Sequence, residues 1–513
     1  MSSSLICILI AIAVYLIGML AIGAYYSKDQ KTSGDFYLGG RKLGPVVTAM
    51  STEASDMSGW LLMGLPGLAY FTGICDPGWT AIGLAVGTYF NWLLVAKRLR
   101  IYSTELDAIT IPDFFAKRFH DNSGLIEGIA ALIVIIFFVP YVASGFAACG
   151  KLFMNLFGAS YMPTMIISAI VIVAYCAMGG FMAASITSLI QSFVMTFALV
   201  AILFYGINVA GGWDAVVDNA RTVGGYLSLK SSGNVLTGEI SPYGAITVLS
   251  TMAWGLGYFG MPHVLLHFMA VEDENKLKVS RRIGTVWVII SMTVAVLIGI
   301  IGYALANKGV IAGFDSSSAA EAIIVRISNL MASHGIIPAL LAGVILAGIL
   351  SSTMSTADAQ LLAAASGISQ NILQGVFHIN LTDKQSMTIA RITVIIIAIL
   401  GVFLARDPNS SVFMIVSFAW AGFGATFGPV MLFALFWKRT TRWGVLSGMV
   451  SGGIMIFVWK FLVRPLGGAW NIYELLPAFI VASFFIVVVS LITKKPDAAI
   501  LREYDDVNAR MKA

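Results

Sequence analysis

Glu53 and Asp56 stand three residues apart inside "STEASDMSGWLLMGLPG" (51–67), in a part of the chain otherwise apolar enough for a lipid bilayer. A carboxylate at mid-bilayer costs at least ~2.5–3.5 kcal/mol on insertion scales, so it faces a cavity or a partner. The same stretch holds Ser58-Gly59 and ends in Leu65-Pro66-Gly67, residues that weaken a helix. Broken backbone at membrane depth is tolerated only where it is buried in protein or lines a water-filled cavity. It also frees carbonyl oxygens, which suit a hard cation such as Na+. For Glu53 a plainer reading competes: a helix end that lets the acid reach interfacial water. Asp56 is less open to that reading, because twelve mostly apolar residues follow it.

A second stretch, "ILSSTMSTADAQLL" (349–362), places Ser351, Ser352, Thr353, Ser355 and Thr356 beside Asp358. Ser352, Ser355 and Thr356 fall at i, i+3 and i+4, one face of a helix. Each hydroxyl alone reads as bonding back to its own helix. Five together, next to an acid, read as an oxygen-lined cation site. A third stretch, "WGLGYFGMPH" (254–263), has Gly255, Gly257, Gly260 and Pro262 among Trp254, Tyr258 and Phe259. An interrupted helix with aromatic walls offers a small organic solute apolar faces and free backbone groups. "FAWAGFGATFGP" (418–429) is similarly rich in glycine and aromatics and reads as a flexible gating helix, with close packing as the rival reading. His263 and His267, at i and i+4, read as interfacial rather than as a ligand pair.

The elements that must position these groups are membrane helices. The chain has 513 residues, 58% hydrophobic and 11% charged, where a soluble domain carries about 25% charged residues. A bilayer core about 30 Å thick needs roughly 20 apolar residues per helix. By that rule thirteen spans are expected, near 5–26, 46–72, 79–97, 125–156, 162–179, 181–207, 245–270, 283–306, 336–371, 389–405, 411–437, 443–463 and 475–493. Gly179-Gly180 implies a tight hairpin between the fifth and sixth. In this layout one side of the bilayer holds 23 of the 31 Lys and Arg residues, in clusters such as Lys28/Lys31/Arg41/Lys42 and Lys276/Lys278/Arg281/Arg282. Positive loops stay cytoplasmic, so the N-terminus is expected outside and the C-terminus inside, in a multi-pass protein of the inner (plasma) membrane. Residues 494–513 read as a short polar tail. The scattered basic residues do not suggest nucleic acid, and the four cysteines show no metal-type spacing.

Spans two and seven are both interrupted and lie five apart, so spans 2–6 and 7–11 form two halves of opposite topology. Interrupted helices at matching positions of inverted halves point to a transport site. Here the motifs become familiar. "LGGRKLGP" (38–45), "ASDMSGWLLMGLPG" (54–67), "WGLGYFGMPH" (254–263), "MST" (354–356) and "AWAGFGATFGP" (419–429) give a chain that resembles the sodium/solute symporter family along essentially its whole length, most closely its bacterial sodium/proline branch.

The resemblance implies an all-α polytopic fold with a LeuT-like 5+5 inverted-repeat core over 46–437. One helix and a cytoplasmic loop precede it (1–45), two helices follow (438–493), and 494–513 is the cytoplasmic tail. It implies a Na+ site made by carbonyls of Ala54, Met57 and Ser352 and hydroxyls of Ser355 and Thr356. It implies an L-proline site at Ser58, Gly59, Trp60, Tyr141, Trp254, Tyr258 and Pro262, with Asp56 and Arg41 serving coupling. Some relatives carry an acid in the sixth span for a second sodium; Ser188 stands there in this chain, so one Na+ per proline is expected. Asp358 is expected to tune the Ser355 site, and Glu53 has no role. The implied function is inward Na+-coupled L-proline uptake. The alternative is Na+-coupled symport of another small amino acid or a carboxylate. A membrane sensor would carry a kinase domain, and an enzyme would show a metal or nucleophile motif; neither is seen in the sequence.

Overall fold

The computed structural model describes residues 2–26, 32–178 and 180–512; Lys28 and Lys31 of the basic cluster and Gly179 of the expected hairpin lie outside them. Among the described residues ten helices are long and apolar enough to cross a bilayer. In chain order the helices that matter are α1 (Ser3–Tyr26), α2 (Pro45–Asp56), α3 (Trp60–Thr72), α4 (Cys75–Glu105), α5 (Leu125–Phe157), α6 (Tyr161–Met178) and α7 (Phe181–Val209). They continue with α8 (Ala245–Met252), α9 (Pro262–Ala270), α10 (Glu274–Asn307), α11 (Ile336–Val376), α12 (Asp383–Leu404), α13 (Val412–Phe436), α14 (Arg442–Leu466), α15 (Leu475–Ile492) and α16 (Ala498–Lys512). The expected spans outside the ten are the two interrupted ones, 46–72 and 245–270, and 162–179, where α6 is a shorter apolar helix.

Both expected breaks are present, and each has a local cause. α2 stops at Asp56 because the Ser58 N–H donates to Asp56 O (2.9 Å) instead of reaching back four residues to Ala54. Met57, with φ −80° and ψ 71°, leaves the helix at that point. Between α8 and α9 the chain tightens into a 3₁₀ segment, Ala253–Gly260. Met261 is then extended (ψ 109°), as a residue before proline prefers.

α2 lies at the centre, packed against α7, α9, α10 and α11. α13 closes over the 3₁₀ segment and α5, α1 covers α11, and α14 and α15 pair with each other beside α13. The outer surface is apolar: Ile167, Ile170, Phe204, Ile399 and Phe484 are 59–66% exposed, the ring of side chains that faces lipid. The loop 208–244 carries a helix (Trp213–Arg221) and a hairpin, β1 (Ser231–Gly233) against β2 (Ile240–Pro242).

Residues 498–512 differ from the expected polar tail. They form α16, whose Ile500, Tyr504 and Val507 are buried. The spacing i, i+4, i+7 gives that helix one apolar stripe, although the segment as a whole is too polar to cross a membrane.

Candidate functional site

The break in α2 brings four of the five expected ion-site oxygens into one cluster. Ser355 Oγ donates to Ala54 O at 2.7 Å and lies 3.2 Å from Ser352 O. Thr356 Oγ1 donates to the same Ser352 carbonyl at 3.0 Å. Ala54 O is available because the helix pattern that would occupy it ends at Asp56. Met57 contributes the non-helical turn beside it. All five residues are at most 2% exposed, so these are dry, neutral oxygens, the donor set of a hard monovalent cation. Ser352 and Thr353 also bond back to Ile349 O, so the self-bonding reading of the hydroxyls describes part of the cluster, and Ser355 is the one that crosses to α2.

Asp56 is the junction to the expected solute-site residues. Its Oδ2 accepts from the Tyr258 hydroxyl at 2.8 Å. Its carbonyl accepts from Ser58 N, Trp60 Nε1 (3.2 Å) and the Tyr141 hydroxyl (3.3 Å). One residue therefore joins four expected solute-site positions on three separate elements. Gly59 adjoins α5, where a Cβ would come 2.8 Å from Ala148 Cβ. Trp254 faces Trp60 and Trp420 (ring centroids 6.2 and 6.3 Å), and its carbonyl accepts from Trp420 Nε1 at 2.7 Å. Pro262 opens α9 and is buried. Trp60, Tyr141 and Tyr258 are at most 1% exposed, so the rings are closed against one another.

Arg41 stands apart from this cluster. It sits at the far end of α9, where Nη1 donates to Met269 O (2.7 Å) and Ser103 Oγ (3.1 Å), and Nη2 to Ala108 O (2.6 Å) and Ser103 O (3.0 Å). Gly39, Gly40 and Arg41 all have φ near +60°, a conformation that costs a non-glycine residue roughly 1–2 kcal/mol. The four hydrogen bonds offset that cost. Burial, with Arg100 nearby, lowers the Arg41 guanidinium to about 10, which leaves it cationic at neutral pH.

Four readings need correction. Glu53 does not reach interfacial water: it is fully buried, and its Oε1 accepts from Trp92 Nε1 (2.7 Å) and Thr88 Oγ1 (3.2 Å) on α4. Asp358 faces Tyr175 and Cys176 on α6 rather than the ion cluster. His263 and His267 are buried, with His263 against the rings of Phe138 and Tyr141. α13 is one continuous helix whose glycines serve close packing: a Cβ on Gly422 would meet the Phe137 ring at 2.2 Å.

Sequence reasoning missed Asn91, whose Nδ2 donates to Tyr258 O at 3.0 Å, and the specific roles of Trp420, Phe413 and Tyr473 around Trp254. A lone amide inside an apolar span was the available signal for Asn91. The aromatic residues carried none, since membrane helices are full of them.

The family model described as the sodium:solute symporter family matches residues 36–452. The sodium/proline symporter of Haemophilus influenzae is 41% identical over 513 residues, covering 98% of this chain and 98% of that protein. The osmoregulated proline transporter OpuE of Bacillus subtilis is 39% identical, covering 98% and 99%. Escherichia coli has a sodium/proline symporter 38% identical over 98% of this chain and 96% of its own. Among solved structures, a Na+-coupled sialic acid symporter in a substrate-bound outward-open state superposes with a TM-score of 0.77 at 15% identity, over 96% of this chain and 99% of that one. A nucleobase-cation-symport-1 family transporter in a closed conformation superposes at 0.55, also at 15% identity, over 93% and 99%.

Proposed function

The chain belongs to the sodium:solute symporter family, and from that membership we propose that it is a secondary active transporter coupling inward Na+ movement to uptake of L-proline. The observation that carries the coupling is the contact between Ser355 Oγ and Ala54 O, 2.7 Å apart on elements 301 residues distant. Na+ between the Ala54, Met57 and Ser352 carbonyls and the Ser355 and Thr356 hydroxyls would hold the broken helix against α11. Its charge would replace the hydroxyl proton as the partner of Ala54 O. Asp56 follows Ala54 by two residues and grips Tyr258, so fixing the break also fixes the walls around Ser58, Gly59, Trp60, Tyr141, Trp254 and Pro262. Two ligands that favour one arrangement of a shared element are thermodynamically coupled. Arg41 ties the loop before α2 to the end of α9, at the mouth opposite the loop 208–244, and moves with both interrupted helices.

Proline is the solute because several relatives at 38–41% identity over nearly the full length carry that name. The inside-negative potential supplies about 2.3 kcal/mol per charge per 100 mV to one Na+ with a zwitterion. Thirteen spans, an outside N-terminus, a cytoplasmic C-terminus and a transport core over 46–437 complete the proposal. Cysteines placed singly in 208–244 and 276–282 should react with impermeant reagents from opposite sides of the membrane.

The decisive experiment is uptake of labelled L-proline into proteoliposomes. A sodium gradient should drive accumulation, and Asp56→Ala should nearly abolish it. Equal uptake without sodium or a substitute cation would sink the coupling. Inhibition by other amino acids or carboxylates, with proline a poor competitor, would move the solute to the alternative class.

A further inference from the structure

α6 and α12 lie side by side at the lipid surface with a groove of about 470 Å³ between them. Its walls are Ile166 and Ile170 on α6 and Ile395 and Ile399 on α12, all 39–64% exposed; its floor is Ala169 and Ala398, both buried. Each helix supplies residues at i, i+3 and i+4, so one face of each lines the groove. The alanines leave room that the isoleucines enclose. On α6 the lining runs from Ile166 to Ala174, a rise of about 12 Å, close to half of a hydrocarbon core about 30 Å thick. At that depth the filling is hydrocarbon, since the bilayer core holds no water.

The groove has a polar mouth. The Tyr161 hydroxyl, at the start of α6, donates to Ala405 O at 2.6 Å and closes the top. The next two residues are Arg406 and Asp407, both exposed. The Arg406 guanidinium lies over the Phe403 ring, 4.6 Å from its centroid. Ile395, Ile399 and Phe403 follow at i, i+4 and i+8, so this ring continues the groove wall and carries the cation above it. Arg406 pairs with no carboxylate among the described residues. Asp407 accepts from Asn409 N through Oδ1 (2.9 Å), and its charge acts on the Tyr161 hydroxyl, which places it toward α6. The mouth lies on the face opposite the loop before α2. α12 begins beside that loop, where Ser33 N donates to Asp383 Oδ1 at 2.9 Å, and ends across the bilayer.

A long apolar groove capped by one cation and one carboxylate matches a lipid whose headgroup is a zwitterion. A fatty acid would bring its carboxylate beside Asp407, and an uncharged lipid would leave both groups unused. We propose that this groove binds one phosphatidylethanolamine, drawn from the leaflet on the side of Arg406. Arg406 takes the phosphate by charge-assisted hydrogen bonds, Asp407 takes the primary ammonium, and one acyl chain lies between α6 and α12. Phosphatidylglycerol offers the same phosphate with nothing for Asp407, and a choline headgroup has charge but no N–H to donate. The bound chain sets the spacing of α6 against α12. α6 in turn holds Tyr175 and Cys176 against Asp358 of α11, the helix that carries Ser355.

The test is native mass spectrometry of the purified full chain, stripped of lipid and titrated with phosphatidylethanolamine, phosphatidylglycerol or phosphatidylcholine. Wild type should retain one phosphatidylethanolamine at concentrations where the other two are lost, and that lipid should raise its thermal midpoint in detergent. Arg406→Gln should weaken retention of phosphatidylethanolamine about tenfold. Asp407→Asn should bring phosphatidylethanolamine down to the level of phosphatidylglycerol, whose own binding stays unchanged. Ala174→Phe, which puts a ring into the groove from an exposed position, should weaken retention as Arg406→Gln does. The thermal midpoint of each variant without lipid should match wild type, which shows that it is folded. Equal retention of the three lipids by wild type, or retention unchanged in Arg406→Gln, means annular lipid only and overturns the site. Phosphatidylglycerol held more tightly than phosphatidylethanolamine overturns it as well. None of these results bears on the symport reading, which stands or falls on Na+-driven uptake.

Discussion

Ser355 and Glu53 show how differently two polar residues at membrane depth are used. Ser355 crosses from α11 to Ala54 O and shares Ser352 O with Thr356. Ser355→Ala should raise the Na+ half-saturation for uptake about tenfold, a loss of roughly 1.4 kcal/mol, with proline uptake recovering at high Na+. An unchanged sodium dependence would remove Ser355 from the ion site. Glu53 instead binds α4 through Trp92 and Thr88, and hydrogen bonds of this kind contribute about 1.5–3 kcal/mol each. Glu53→Ala should lower thermal stability in detergent by roughly 2–4 kcal/mol. Glu53→Gln keeps an acceptor for Trp92 and should stay within about 1 kcal/mol, with sodium half-saturation unmoved in either variant. The acids were legible in the sequence as expensive groups that need partners. Which partner each had was not, because Trp92 and Thr88 lie on another helix and look like ordinary apolar-span residues.

The interrupted helices were the most readable elements, since glycine and proline act on the backbone locally. Their packing was less so. Gly257 admits the Trp420 indole so closely that a Cβ would sit 1.9 Å from Nε1, the atom that donates to Trp254 O. Gly257→Ala should therefore displace Trp420, cost at least about 1–3 kcal/mol of stability by overpacking, and abolish proline binding. Gly18→Ala, on α1 with nothing within 4 Å of the new Cβ, is the matched control and should be neutral or gain up to about 1 kcal/mol. A tryptophan emission spectrum of Gly257→Ala identical to wild type would refute the displacement. α13 marks the limit of element reading. Its glycines suggest flexibility from composition alone, whereas the neighbouring rings of Phe137 and the chain at Gly257 make them close-packing positions.

At the scale of the molecule, α16 closes the face that carries most of the basic residues. Tyr504 receives the guanidinium groups of Arg98 (5.1 Å) and the fully buried Arg118 (5.5 Å). Around it Lys438 pairs with Asp505 (2.5 Å), His120 with Glu503 (2.9 Å) and Arg510 with Glu105. The surrounding pairs are exposed and weaken with salt, while the Tyr504 contacts are shielded. Tyr504→Ala should lower thermal stability by about 1–2 kcal/mol and hasten proteolysis of 498–512; raising salt should loosen wild-type α16 much less than this substitution does. Equal proteolysis of the two proteins would mean that α16 is held by the exposed pairs instead. By itself the sequence determined a membrane bundle, the sites of its two helix breaks and the side that carries positive charge, because hydropathy, glycine, proline and lysine act within a few residues of where they stand. The tertiary structure alone decided how Glu53, Asp358 and α16 are satisfied, and that Asp56 Oδ2 meets Tyr258 across 202 residues. Such partners are chosen by the packing of distant helices, and no local pattern records which faces will meet.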